Sequence, residues 1–157
     1  AQLALFYERL HDPTANILEI EVWAGFQYER NGQTHDVHAR IDRVDQLPDG
    51  SIRIIDYKTG QPSRRLLEPK PDDLQLGIYA MAARALLGGG DPSEPLRGRA
   101  EFWCLSTGER GSIDLADIDE QRVRERIDAA IDGMLAGRFP RADDCTGRAC
   151  TIFGLDD

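Results

Sequence analysis

No apolar run in this chain approaches the ~20 residues needed to cross a bilayer, and no charged-then-apolar leader marks a secretory signal. Membrane partners are not expected. Cysteine is scarce: three in all, an odd count, which argues against a disulfide framework and fits a reducing cytoplasm. Positive charge is in deficit, with 19 Lys and Arg against 28 Asp and Glu. The net charge of −9 opposes a nucleic-acid role at first sight, because phosphate binding wants a basic surface. No internal repeat, low-complexity tract or phosphate-cradling glycine loop is present. What is there is an ordinary globular mixture, 41% hydrophobic and 30% charged. At 157 residues it suffices for one core, so 1–157 reads as a single domain. The chain begins at Ala1 rather than methionine and reads as a fragment of a larger protein.

The informative stretch is ARIDRVDQLPDGSIRIIDYKTG, Ala39 to Gly60. It reads as two strands, Thr34–Gln46 and Ser51–Lys58, joined by the turn residues Pro48-Asp49-Gly50. With Leu47 facing Ser51 across a three-residue loop, the pairs run Gln46–Ile52, Val44–Ile54, Asp42–Asp56 and Arg40–Lys58. Alternation then sets Asp42, Asp56 and Lys58 on one face. Two opposed carboxylates beside valine and isoleucine repel and desolvate each other. A hard divalent cation, Mg²⁺ or Mn²⁺, would cancel that repulsion. Lys58 would add positive charge where an anion develops. The plain alternative is a surface hairpin carrying an Asp–Lys pair.

IDRVD, a DG turn, IIDYKTG and then QLGIYA together resemble the RecB-like branch of the PD-(D/E)xK nucleases, found in bacterial helicase–nucleases and related exonucleases. The resemblance spans Leu18 to Cys150. It implies an α/β, restriction-endonuclease-like fold, a central mixed β-sheet of about five strands flanked by helices. It implies Asp42 and Asp56 as metal ligands with the Tyr57 carbonyl as a third, Lys58 as the catalytic lysine, and Gln75 and Tyr79 as the family's glutamine–tyrosine helix motif. The family's first aspartate usually has glycine three residues before it; here that residue is Ala39. An upstream histidine or glutamate completes the family's metal site, and His11 is the one histidine near that region, with a loop residue the plainer reading.

In order along the chain, Leu3, Phe6, Tyr7 and Leu10 have helical spacing, ended by His11-Asp12-Pro13. Asn16–Tyr28 reads as the first strand, turning at Asn31-Gly32. Glu19 and Glu21 on it share a face and could reach a metal, with solvated glutamates the plainer reading, and His35 and His38 beyond it read as surface or hydrogen-bonded residues. The proline-bounded loop Gln61–Pro71 carries Arg64, Arg65 and Lys70, a basic cluster suited to phosphate contacts or simply a solvated loop. Asp72–Leu87 is the clearest helix, with Leu74, Ile78, Met81 and Ala85 as its buried stripe and Gln75 and Tyr79 on one flank. Arg99–Ser106 and Ser112–Leu115 read as a second hairpin, in which Trp103 or Phe102 packs the sheet rather than stacking on a base. Asp117–Gly137 is an amphipathic helix capped by Asp117, with Ile118, Val123, Ile127, Ile131 and Leu135 at core spacing. The tail, Phe139 to Cys150, also resembles family members whose closing cysteines bind an iron–sulfur cluster. Such a cluster needs four thiolates, and only Cys145 and Cys150 lie here, so free thiols are expected.

The expectation is therefore a cytoplasmic, metal-dependent deoxyribonuclease, exonucleolytic in mode, working in DNA repair or recombination with DNA and a helicase domain or subunit as partners. The rival readings are a non-catalytic DNA-binding or scaffolding module that keeps the fold, and a phosphotransfer site using the same carboxylates.

Overall fold

Two tight turns build the long antiparallel part of the sheet. Asn31 and Gly32, with φ of 52° and 72°, join β1 (Asn16–Arg30) to β2 (Gln33–Gln46). Gly50, at φ 80°, closes the loop from β2 to β3 (Ile52–Lys58). There the Gly50 amide donates to the Leu47 carbonyl and the Leu47 amide to the Ser51 carbonyl, each at 2.8 Å. The computed structural model describes residues 2–88 and 96–138.

The remaining strands are β4 (Gly98–Cys104) and β5 (Glu109–Asp114), and the five lie in the order β1-β2-β3-β4-β5. Neighbours are antiparallel except β3 and β4, which run parallel. A parallel pair needs a crossover connection, and α3 (Leu74–Leu87) supplies it. The other helices are α1 (Gln2–Leu5, continuing as a π-helical turn over Phe6–Leu10), α2 (Arg64–Leu67) and α4 (Glu120–Leu135). This is the expected mixed five-stranded sheet flanked by helices. Among the described residues no helix is long and apolar enough to cross a membrane.

The main core lies between the sheet and α3, where Ile41, Val44, Ile54, Ala100 and Phe102 meet Leu76, Ala80 and Ala83. On the opposite face, Leu10 folds over Ile55 and Trp103. Phe102 and Trp103 are both fully buried in the sheet, as their sequence context suggests.

Several local expectations change. The buried side of α3 is Leu76, Gly77, Ala80, Met81, Ala82 and Ala83, while Ala85 is exposed. The helix is rotated because it is wedged between the sheet and α4: a Cβ on Gly77 would lie 2.4 Å from Val123 Cγ2, so only glycine permits that approach. Helix α4 is capped by Asp119, whose carboxylate accepts from the Arg122 amide at 3.0 Å; Asp117 instead ends a 3₁₀ turn. Leu135 is 60% exposed rather than core. The π-helical turn breaks the 3.6-residue spacing of the first helix, leaving Leu3 and Tyr7 exposed while Leu10 is buried. The basic loop contains the short helix α2.

Candidate active site

The site forms where β2, the end of β3 and the first turns of α3 converge. Helix α3 begins here because the Asp73 carboxylate accepts from the Gln75 and Leu76 amides at 3.1 and 3.2 Å. The first helical turn thereby holds Gln75, and the next Tyr79, over the end of β3. The register Gln46–Ile52 and Val44–Ile54 occurs as expected.

The ladder does not continue to an Asp42–Asp56 pair; the last bridge is Arg43–Ile55. Asp42 instead turns one oxygen, Oδ2, to the Tyr57 amide at 2.8 Å. Opposite Asp42, on β1, Glu21 sits in a left-handed conformation (φ 49°) and no Glu21–Asp42 bridge forms, so the strands are irregular at this point. That irregularity frees the aspartate from regular pairing, a common use of bulges beside functional sites.

Asp56 is the centre of the cluster and is 4% exposed. Its Oδ1 accepts from Gln75 Nε2 at 2.6 Å and from the Tyr79 hydroxyl at 3.1 Å. Its Oδ2 is buried without a hydrogen bond, although Lys58 Nζ lies 2.6 Å away in an ion pair off the hydrogen-bond direction. Lys58 also donates to Gln75 Oε1 at 3.2 Å and stands 5.3 Å from the centre of the Phe102 ring. Burial pushes the Asp56 carboxyl above the usual range against the pull of Lys58, and the charge of Asp42 adds to the rise. Burial, with the two aspartates, likewise pushes the Tyr79 phenol up to about 12. Asp42, Asp56, Lys58, Gln75 and Tyr79 are thus brought together.

The basic trio is arranged differently. Arg64 pairs with Glu68 at 2.9 Å, and Arg65 pairs with the capping Asp73 at 3.1 Å. Lys70 is exposed in the following loop. His11 stands near Phe6 and Tyr7, ring centres 6.1 and 5.2 Å away, in the segment that covers the other face of the sheet. Glu21 pairs with Arg40 at 2.8 Å on the surface, and Glu19 is exposed. Cys104 is a buried free thiol, whereas Cys145 and Cys150 lie outside the described residues.

Sequence reasoning does not single out Asp45, yet it is fully buried. It is held by Arg43 at 2.6 Å and Arg53 at 2.8 Å, and Arg53 reaches on to Asp12 at 3.1 Å. A signal for it exists, because the hairpin register that pairs Val44 with Ile54 also sets Asp45 against Arg53. Both guanidinium groups also lie over Trp103, 5.8 and 5.3 Å from its ring centre.

The PD-(D/E)XK nuclease superfamily model matches residues 2–152. The chain belongs to this superfamily. PD-(D/E)XK proteins are generally nucleases that use divalent metals, and the acids and lysine of the family's name correspond in type to the cluster around Asp56. No curated protein matches the chain significantly. Among solved structures, the crystal structure of SSO0001 is similar, with a TM-score of 0.57 and 18% identity over 96% of this chain. That likeness supports the fold alone, and this chain spans 65% of the length of the SSO0001 chain.

The donor set suits a hard cation. Asp42 has one oxygen outside its bond to Tyr57, and the buried Asp56 Oδ2 lacks a hydrogen bond. The described residues contain no group of three or more His, Cys, Asp or Glu side chains placed to hold a metal. Among the described residues, a site here would draw on the two aspartates and backbone oxygen.

Proposed function

We propose that this PD-(D/E)XK domain hydrolyses DNA phosphodiester bonds with Mg²⁺ or Mn²⁺. The observation that carries this reading is the buried Asp56 Oδ2, which meets only the Lys58 ammonium and lies beside Asp42. Asp42, Asp56 and the Tyr57 carbonyl would hold the ion. Bound there, the cation supplies Lewis-acid polarisation of phosphate and activation of water near neutral pH.

The chain's own groups do the positioning. Gln75 donates to Asp56 and accepts from Lys58, so one amide orients both. Lys58 faces the negative charge that grows on the phosphate. Tyr79, with its phenol held near 12, keeps its proton in neutral solution and serves as a donor to Asp56 rather than as a base. Arg64, Arg65 and Lys70 would meet flanking phosphates, with Arg64 and Arg65 exchanging Glu68 and Asp73 for them. The resemblance to RecB-like proteins supports exonuclease action in cytoplasmic DNA repair or recombination, alongside a helicase domain or subunit.

The test is cleavage of end-labelled single- and double-stranded DNA in Mg²⁺. Asp56→Ala abolishes cleavage and Lys58→Ala lowers it at least about 10²-fold, both keeping a cooperative thermal transition; activity within a few-fold of wild type in clean protein refutes their roles. The lack of a third acidic or histidine ligand among the described residues favours one rival, a DNA-binding module without catalysis. Saturable Mn²⁺ binding that is lost in Asp42→Asn supports the enzyme, and DNA binding without cleavage supports the rival.

A further inference from the structure

A second concavity opens beside the same strand end, on the other face of the sheet. It has a volume of about 290 Å³ and is lined by Leu3, Phe6, Tyr57 and Leu105. Its two rings stand 6.4 Å apart at 63°, and Trp103 lies behind them, 6.0 Å from Phe6 and 5.9 Å from Tyr57. The wall is firm, since Trp103 is fully buried and its indole donates to Glu101 at 2.6 Å. The rim is open, with Leu3 70% exposed.

The pocket is continuous with the candidate site through the backbone. Tyr57 lies between Asp56 and Lys58, its amide bonded to Asp42. The Leu105 amide donates to the Lys58 carbonyl at 2.9 Å, and Ser106 Oγ donates to the Gly60 carbonyl at 2.8 Å. A strand of nucleic acid with one phosphate at Asp56 and Lys58 would pass this opening as it rounds the end of β3.

We infer that the Phe6–Tyr57 pocket takes a nucleobase of unpaired DNA next to the phosphate being cleaved. The inference rests on the nuclease reading and names its substrate class, single-stranded DNA or a frayed end. Size is sufficient, because a cavity of about 150 Å³ already accommodates benzene. Aromatic and aliphatic walls grip the faces of any base, and the described lining residues turn no polar atom into the pocket, so its edges go unread and binding is tolerant of sequence. Bases inside a duplex remain stacked on one another and do not enter.

The experiment measures fluorescence anisotropy in low salt with EDTA, using labelled oligo-dT, an abasic oligonucleotide of equal length and a blunt duplex. Wild type binds oligo-dT about tenfold more tightly than the abasic strand, within the range of one stacked base. Phe6→Leu, which keeps apolar bulk, reduces that ratio to about twofold or less, with its thermal transition checked. Photocrosslinking of 5-iodouracil DNA labels the Phe6 or Tyr57 peptide. Equal wild-type affinity for the two strands, an unchanged ratio in Phe6→Leu, or crosslinks mapping elsewhere overturns the inference. So does a wild-type dimer that Phe6→Leu dissociates, which would assign the pocket to a second copy. Cleavage without base discrimination sinks the pocket alone; base discrimination without cleavage sinks the nuclease reading alone.

Discussion

Lys58→Met separates two jobs that one ammonium performs. In the structure Lys58 Nζ lies 2.6 Å from Asp56 Oδ2 and 3.2 Å from Gln75 Oε1. Methionine keeps a long apolar stem over Phe102 and removes the charge. A cation entering the wild-type site must displace an ion pair on a buried carboxylate, about 1.5–3 kcal/mol if it matches other contacts to charged groups. The variant has nothing to displace, so its Mn²⁺ affinity rises by roughly ten- to a hundredfold at 1.4 kcal/mol per decade. Lys58 is 28% exposed, so screening by solvent favours the lower end. Cleavage moves the other way, falling about 10²–10³-fold, as when one preorganised donor to a developing anion is removed. Isothermal titration with Mn²⁺ and a cleavage assay on end-labelled DNA, both at pH 8, read the two effects. Unchanged or weaker Mn²⁺ binding, or cleavage within a few-fold of wild type, refutes the reasoning.

Other perturbations probe the scaffold. Asp45→Asn leaves the buried Arg43 and Arg53 without their shared counter-charge and lowers the unfolding free energy by about 3–5 kcal/mol, measured by urea denaturation. Gly77→Ala gains about 1 kcal/mol of helix preference but meets Val123 at 2.4 Å, an overlap of about 1–3 kcal/mol; a double-mutant cycle with Val123→Ala reads their coupling. Asp12 is held down to about 2, chiefly by bonds from Thr14 and then by Arg53. Its depressed value means that it stabilises the fold above the ordinary carboxylate range and loses that contribution as pH falls towards about 2. Asp12→Asn is therefore less stable than wild type at pH 6, and the difference fades in acid denaturation curves near pH 2.

The hairpin, the α3 helix and the sheet count are legible in the sequence because local signals agree there. Gly50 supplies the turn, the register Val44–Ile54 follows from it, and Asp73 with Gly88 brackets the helix. Which side of α3 is buried is not legible, because the helix carries small apolar residues nearly all round and its neighbours choose the face. Within the site, the i, i+4 spacing places Gln75 and Tyr79 on one flank, and their shared partner Asp56 matches that spacing. The break in pairing at Asp42 has no local signature, since it depends on Glu21 of β1, a residue that signals no turn. Arg65 looks available from its loop; its tie to Asp73 arises only when α2 folds against the cap of α3.

The parallel alignment of β3 with β4 has a kinetic consequence. A hairpin such as β1–β2 closes from neighbours in the chain, whereas joining Ile52 to Gly98 must wait until α3 has swung across the sheet. Asp56 rides on the first partner of that late step, and Gln75 and Tyr79 ride on the swinging helix. Refolding molecules regain most of their strand signal before Asp56 meets Gln75 and Tyr79, so the candidate site assembles last.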